Sequence, residues 1–260
     1  MLNKIIFIGN ENTNYSSRRG IIPDVIVNHI SEGSKESCIS WFTSQKNKNS
    51  SAHFLVDKEG KIFQFVNIEN MAWGNGLYIR DIKKSSSELV RSRNTNPNRY
   101  TISIEHEGIY KETKGALTKA QLEGSVWLHR YIIDYVDRRY KKKISINRNH
   151  IIGHCEIDPI RKPLCPGEAF PYEEIISKIN SERKFSDIKD HWAEKEIKYL
   201  IDKNILEGFP DGTFRPNEYI TRGEVAYIVK KIIKDDAWKH HPLILVHDFW
   251  YVIWKFYRIF

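Results

Sequence analysis

The sequence predicts an α/β fold, a mixed central sheet flanked by helices and followed by a small helical module. Three observations carry that expectation. Short β-branched runs and longer amphipathic segments interleave over roughly the first 180 residues. A polar stretch, Ser181, Glu182, Arg183 and Lys184, then breaks the pattern. Beyond it, two further amphipathic segments flank a loop dense in turn residues.

The elements follow in order. Residues 24–28 (Asp-Val-Ile-Val-Asn) read as a short buried strand with His29 at its exit, and residues 36–44 as a helix. Residues 52–57 and 61–66 are apolar, strand-like runs either side of Lys58, Glu59 and Gly60, a hairpin pattern. Residues 81–99, rich in Ser, Asn, Arg and Lys, are expected to form a long solvated loop. Over 101–107 the sequence alternates Ile102 and Ile104 with polar neighbours, which predicts another strand. The strongest helix covers 118–140. Thr118 and Gln121 form a capping-box pattern, and Leu122, Val126, His129, Ile133, Val136 and Tyr140 recur on one face. Residues 190–203 and 221–234 read as the helices of the second module, the latter started by Thr221 and Glu224 as a second capping box.

This reading divides the chain into domains at 1–182 and 183–234, with a tail at 235–260. The tail packs Trp250, Tyr251, Trp254, Phe256, Tyr257 and Phe260 into few residues, but its apolar run is short for a membrane span. Docking on the helical module is the favoured expectation, with membrane contact or a degenerate remnant as the alternatives.

With 41 Lys and Arg against 33 Asp and Glu in 260 residues, the chain carries a net charge of +8. A basic surface suits an anionic partner: nucleic acid, a membrane surface or an acidic cell-wall polymer. Nucleic acid is disfavoured, because no reading module or interleaving of basic and aromatic residues is present. Cys38, Cys155 and Cys165 are an odd number and too sparse for a disulfide framework, so a special cysteine would be a metal ligand or nucleophile. The first residues show no small-residue cleavage site after a short apolar run, so synthesis in the cytoplasm without a secretory signal is expected.

Two stretches concentrate chemistry. One is Val25-Ile-Val-Asn-His29. The other is the loop 153–167, which holds His154, Lys162 and Cys165. A catalytic zinc needs three protein ligands and an open position, and His29, His154 and Cys165 would supply two imidazoles and a thiolate from separated segments. Each histidine taken alone is more often a surface or satisfied core residue than a ligand. His150, four residues before His154, is not expected to share a helix with it, because Ile151-Ile152-Gly153 intervenes. His53 is read as lining a site rather than ligating. Glu105 and Glu107 are both candidates for a general base, and the strand period puts them on one face without choosing between them. Lys162, close to the ligands by connectivity, would stabilise an oxyanion.

Together these segments resemble the type-2 N-acetylmuramoyl-L-alanine amidases, relatives of the peptidoglycan-recognition proteins. The resemblance spans about residues 15–180 and rests on 25–33 (Val-Ile-Val-Asn-His-Ile-Ser-Glu-Gly), 51–60 (Ser-Ala-His-Phe-Leu-Val-Asp-Lys-Glu-Gly), Ala72-Trp73-Gly74, 98–108 and 153–159. It implies a Zn2+ ion held by His29, His154 and Cys165, with Glu105 rather than Glu107 as catalytic acid/base and Lys162 assisting. Trp73 would line the substrate groove, with His53 also counted as substrate-binding. The implied reaction is hydrolysis of the amide joining muramic acid to L-alanine in peptidoglycan. The chain departs from some relatives at Ala52, where they have tyrosine, and near Gly74-Asn75, where histidine is common. The His154–Cys165 gap is also longer than in some, which leaves Arg161 as a rival to Lys162.

The second module resembles a single S-layer-homology repeat: 185–193, 208–216 and 220–224 carry the likeness. It implies binding of an anionic secondary cell-wall polymer, with Arg222 and Trp192 as contact residues. An amidase with such a module looks like a phage or prophage endolysin released through a holin-type pore. A host autolysin, a binding-only recognition protein and a stem-peptide peptidase are the alternatives.

Overall fold

A computed structural model describes residues 5–181, 185–203, 205, 206, 208 and 213–234. The expected aromatic tail at 235–260 lies outside the described residues. Two compact units emerge, Met1–Ile179 and Asn180–Phe260.

The first unit runs β1 (Ile5–Phe7), β2 (Tyr15–Ser17), β3 (Val25–Ile30), α1 (Lys35–Phe42), β4 (Phe54–Val56), β5 (Ile62–Gln64), β6 (Asn70–Ala72), α2 (Glu88–Arg93), β7 (Thr101–His106), α3 (Tyr110–Thr113), α4 (Lys119–Tyr140), β8 (Ile151–Gly153), α5 (His154–Ile157) and α6 (Tyr172–Ser181). Six strands form one mixed sheet in the order β1-β5-β4-β7-β3-β8. β4 and β5 are the antiparallel hairpin, whereas β4, β7, β3 and β8 run parallel. Strands buried on both faces read as continuous apolar runs, and β3 is fully buried along its six residues.

Helix α4 covers one face of the sheet. Ile132, Ile133 and Val136 pack with Ile26, Phe54, Ile102 and Ile104 from the strands and Ile175, Ile176 and Ile179 from α6. Its N-terminus is pinned where the sequence places it: Thr118 Oγ1 accepts from Gln121 N at 3.1 Å. The reciprocal half of the capping box is not made. Gln121 instead donates its side-chain amide to the carbonyls of Val56 and Glu107, both 3.0 Å away, tying the helix to the sheet. Gly124 lies against the hairpin turn, where an added Cβ would stand 2.5 Å from the Gly60 carbonyl oxygen.

The expected solvated loop at 81–99 is instead an ordered segment. It forms a 3-10 turn at Ile79–Lys84, the helix α2 capped by Ser87, and a second 3-10 turn at Pro97–Arg99. Ile82 and Val90 are buried against Val25, Val27 and Tyr100. Arg93 grips Asp24 with both guanidinium nitrogens, at 2.5 and 2.8 Å, while lying over the Tyr100 ring. Two apolar anchors separated by polar residues leave little periodicity in the sequence.

In the second unit, Phe185, Ile188, Ile197 and Ile201 form a small core joined by Ala193, Leu206 and Phe214. It contains α7 (Glu194–Asp202) and α8 (Arg222–Lys234). The expected second capping box is made in both directions: Thr221 N donates to Glu224 Oε2 at 2.8 Å and Glu224 N to Thr221 Oγ1 at 3.2 Å. Trp192 is 88% exposed, and Arg222 is exposed at the first position of α8. No helix among the described residues is long and apolar enough to cross a membrane.

Candidate metal centre

Parallel strands bring the chemistry to one end of the sheet. His29 and Glu105 are partners in register on β3 and β7. His154 follows β8 directly as the first residue of α5, and Cys165 closes the loop by accepting Cys155 N at its carbonyl, 2.7 Å away. The three expected ligands meet. His29 Nδ1 lies 3.0 Å from His154 Nδ1 and 3.9 Å from Cys165 Sγ, and the three donor atoms fall within 4.8 Å of one another. His150 stays outside the cluster and bonds Asn147 Oδ1.

The surroundings prepare these side chains to ligate. His154 Nε2 is 2.8 Å from the Asn75 carbonyl, to which it donates, so its Nδ1 lone pair faces His29. Burial, then the neighbouring His154, holds the His29 pKa well below the ordinary histidine value; burial brings His154 to about 4. Both are therefore neutral donors at pH 7. Burial and the nearby Glu105 push the Cys165 thiol up, so a cation is needed to favour its thiolate. Behind β3, His106 Nδ1 donates to the His29 carbonyl at 3.1 Å and its Nε2 takes the Ser125 hydroxyl at 2.9 Å.

A cleft of about 550 Å³ opens over this cluster, lined among others by Glu105, Lys162, Trp73 and Trp41. Glu105 Oε2 is buried without a hydrogen-bond partner, and desolvation raises its pKa to about 7 against the opposing charge of Lys162. Glu107 is occupied elsewhere, accepting from Lys58 N at 3.0 Å across the hairpin turn. The two carboxylates that the strand period left equivalent thus have different surroundings. Arg161 is likewise committed: its Nε is 2.6 Å from Asp158 Oδ2 and its Nη2 donates to the Gly76 carbonyl. Lys162 has no ion-pair partner among the described residues. Trp73 is held by Ser51 Oγ at its backbone N and by Ser16 Oγ at its indole N–H.

One expected site residue does not reach the cleft. His53 is fully buried beneath it. Its Nδ1 accepts from Ser103 N at 3.0 Å, and its Nε2 lies 3.0 Å from the Asn70 carbonyl and 2.9 Å from Arg18 Nη2. A histidine with both ring nitrogens taken by protein groups braces the strands and has nothing left for substrate. Conversely, Trp41 and Asn75 went unmarked in the sequence. Trp41, on the outer face of α1, donates to Ser50 Oγ at the cleft rim, and Asn75 acts through a backbone carbonyl that residue type does not reveal.

The fold and site define a class: a mixed α/β domain with a His2Cys donor set at the carboxyl ends of parallel strands, under a cleft holding a buried carboxylate. Residues 18–168 match the N-acetylmuramoyl-L-alanine amidase family, and the chain belongs to it. Residues 184–226 match the S-layer homology domain. The 1,6-anhydro-N-acetylmuramyl-L-alanine amidase AmpD of Haemophilus influenzae is 32% identical over 129 residues, covering 50% of this chain and 58% of that protein. A cellulosome-anchoring protein of Acetivibrio thermocellus is 46% identical over 56 residues, 21% of this chain and 12% of that protein. The chain thus spans at most a little over half the length of either. A solved AmpD derivative superposes with a TM-score of 0.49 at 24% identity, covering 69% of this chain and 96% of that one.

Proposed function

We propose that the chain is a zinc-dependent N-acetylmuramoyl-L-alanine amidase that cleaves the amide between the muramic acid lactyl group and L-alanine in peptidoglycan. The observation that carries this reading is the convergence of His29, His154 and Cys165 beneath a cleft that also holds Glu105 and Lys162. A tetrahedral zinc with bonds of about 2.0–2.3 Å sets its donors about 3.3–3.6 Å apart. The separations of 3.0 and 3.9 Å lie either side of that range and the third is no more than 4.8 Å, so two neutral imidazoles and a thiol stand where side-chain rotation would close them on the ion. When bound, zinc supplies Lewis acidity that polarises an amide carbonyl and acidifies water.

The chain's own groups do the rest. Glu105, whose carboxyl burial holds above the usual carboxylate range, takes a proton from the attacking water and returns it to the departing amine. Lys162 places positive charge where the carbonyl oxygen gains negative charge. Trp73 and Trp41 offer apolar walls to the glycan or stem peptide. The complete donor set favours catalysis over the binding-only alternative.

Arg222 and Trp192 in the S-layer homology domain hold the protein on an anionic secondary wall polymer. The biological role proposed is that of a phage or prophage endolysin, reaching the wall through a pore made by a second protein. Disrupting the gene in an induced lysogen then delays lysis; normal lysis with impaired daughter-cell separation would instead mark a host autolysin.

Metal analysis tests the centre directly. Purified protein should hold one zinc per chain, lost in His154→Ala and Cys165→Ala. Folded protein that takes up no zinc would overturn the proposal.

A further inference from the structure

Helix α4 carries Trp127, Tyr131 and Tyr135 four residues apart, hence on one face. The Trp127 and Tyr131 rings stack with centroids 5.6 Å apart and planes within 10°, and Tyr135 continues the ladder at 6.1 Å. All three are half-buried, packed on the core along one side and open to solvent along the other. Beside Tyr131 and Tyr135 lies a cavity of about 330 Å³ walled by Gln64, Asn67, Glu69 and Asn70. No residue lining it lines the cleft over the metal centre.

The chemistry of that wall is specific. The side-chain amides of Asn67 and Asn70 make no hydrogen bond to another described residue, so both are available to a ligand. Gln64 donates to the Val66 carbonyl and keeps its own amide oxygen free. The Tyr135 hydroxyl donates to Glu69, which fixes the ring beside the cavity. Glu69 is the one charged group of this lining, and a carboxylate repels an anionic polymer. Flat aromatic faces carry partial negative charge and attract the C–H groups of a pyranose face, while amides match hydroxyl and acetamido groups.

We propose that this cavity is a second, non-catalytic saccharide site that takes an uncharged N-acetylated glycan segment, packed against the solvent-open sides of Tyr131 and Tyr135, with Asn67 and Asn70 bonding the acetamido groups. The choice of glycan rests on the amidase reading; the site itself does not. It would hold a glycan strand away from the bond being cut.

Titration calorimetry of the zinc-loaded full chain with a β-1,4 tetramer of N-acetylglucosamine tests this. The probe has no stem peptide, so binding is read without cleavage, and failure of the amidase reading leaves the result intact. Saturable binding is expected, weakened about tenfold by Tyr131→Ala and about threefold by Asn67→Ala on the exposed loop. Tyr131→Phe should restore it and Trp73→Ala in the cleft should leave it in place. No binding by the parent protein, or equal binding by folded Tyr131→Ala and Asn67→Ala variants, overturns the proposal. Binding abolished by Trp73→Ala also overturns it, since the tetramer would then occupy the cleft.

Discussion

At the scale of single residues, the site is built by setting similar groups in unlike surroundings. Glu105 and Glu107 stand two apart on one strand period, yet one is desolvated beside the His29–His154–Cys165 cluster and the other caps a turn. Glu105→Gln should lower kcat by about 10²–10⁴-fold, the usual worth of a positioned general base, with zinc content unchanged. A base works only when deprotonated, so activity should rise with pH through the Glu105 pKa. That value is about 7 without a cation, and a bound cation draws it lower. The rising limb of kcat/KM should therefore fall at or below about pH 7, and the glutamine variant should lack it. A limb of the same position in Glu105→Gln would assign it to another group. His29, His154, Cys165 and Glu105 were all legible as residue types in suggestive segments. His53 was misread because its strand context, Ser-Ala-His-Phe-Leu, says that the side chain is near the site but not which side of the sheet takes it. Its three close polar neighbours come from sequence positions 18, 70 and 103, contacts that no local pattern encodes.

Secondary-structure elements were most readable where local chemistry alone fixes them. The hairpin, β7 and α4 fall within a residue or two of their expected bounds, since hydrophobic period and capping act over a few residues. Thr118→Ala should cost about 1 kcal/mol in urea denaturation, the worth of an N-cap. The stretch 79–99 was opaque for the opposite reason. Its order comes from the long-range Asp24–Arg93 pair and from burial of two isolated side chains, Ile82 and Val90. Arg93→Ala should accordingly raise amide exchange across 79–99 more than in α4. Equal protection in parent and variant would show that the ion pair does not order the segment.

The whole molecule comprises a larger unit that carries the candidate site and a second unit with a small core. Several histidines of the first unit are buried uncharged: burial lowers His106 to about 3 and His129 to about 4, both from an unfolded value near 6.5. Below pH 6.5 the unfolded chain therefore binds more protons than the folded one, so stability is present above that value and is lost on acidification towards pH 4. Each such histidine contributes a slope of up to about 1.4 kcal/mol per pH unit. Denaturation at pH 7, 6 and 5 should show falling stability, and a flat profile would contradict the buried-neutral arrangement. The two-unit plan was visible in the sequence as a break in composition near residue 181, because an amphipathic pattern must stop where a core ends. If the second unit holds a wall polymer through Arg222 and Trp192, as proposed, Arg222→Ala should reduce co-sedimentation with polymer-bearing wall fragments.

Metal-supported amide hydrolysis leaves its signature in the product. Purified Gram-positive peptidoglycan would be digested with the zinc-loaded chain, with the chelated chain and with the chelated chain resupplied with zinc, and the soluble fraction read by mass spectrometry. Free stem peptides beginning with L-alanine are expected, absent on chelation and restored by zinc. Intact peptidoglycan from folded, zinc-loaded protein, or peptides cut within the stem, would contradict it.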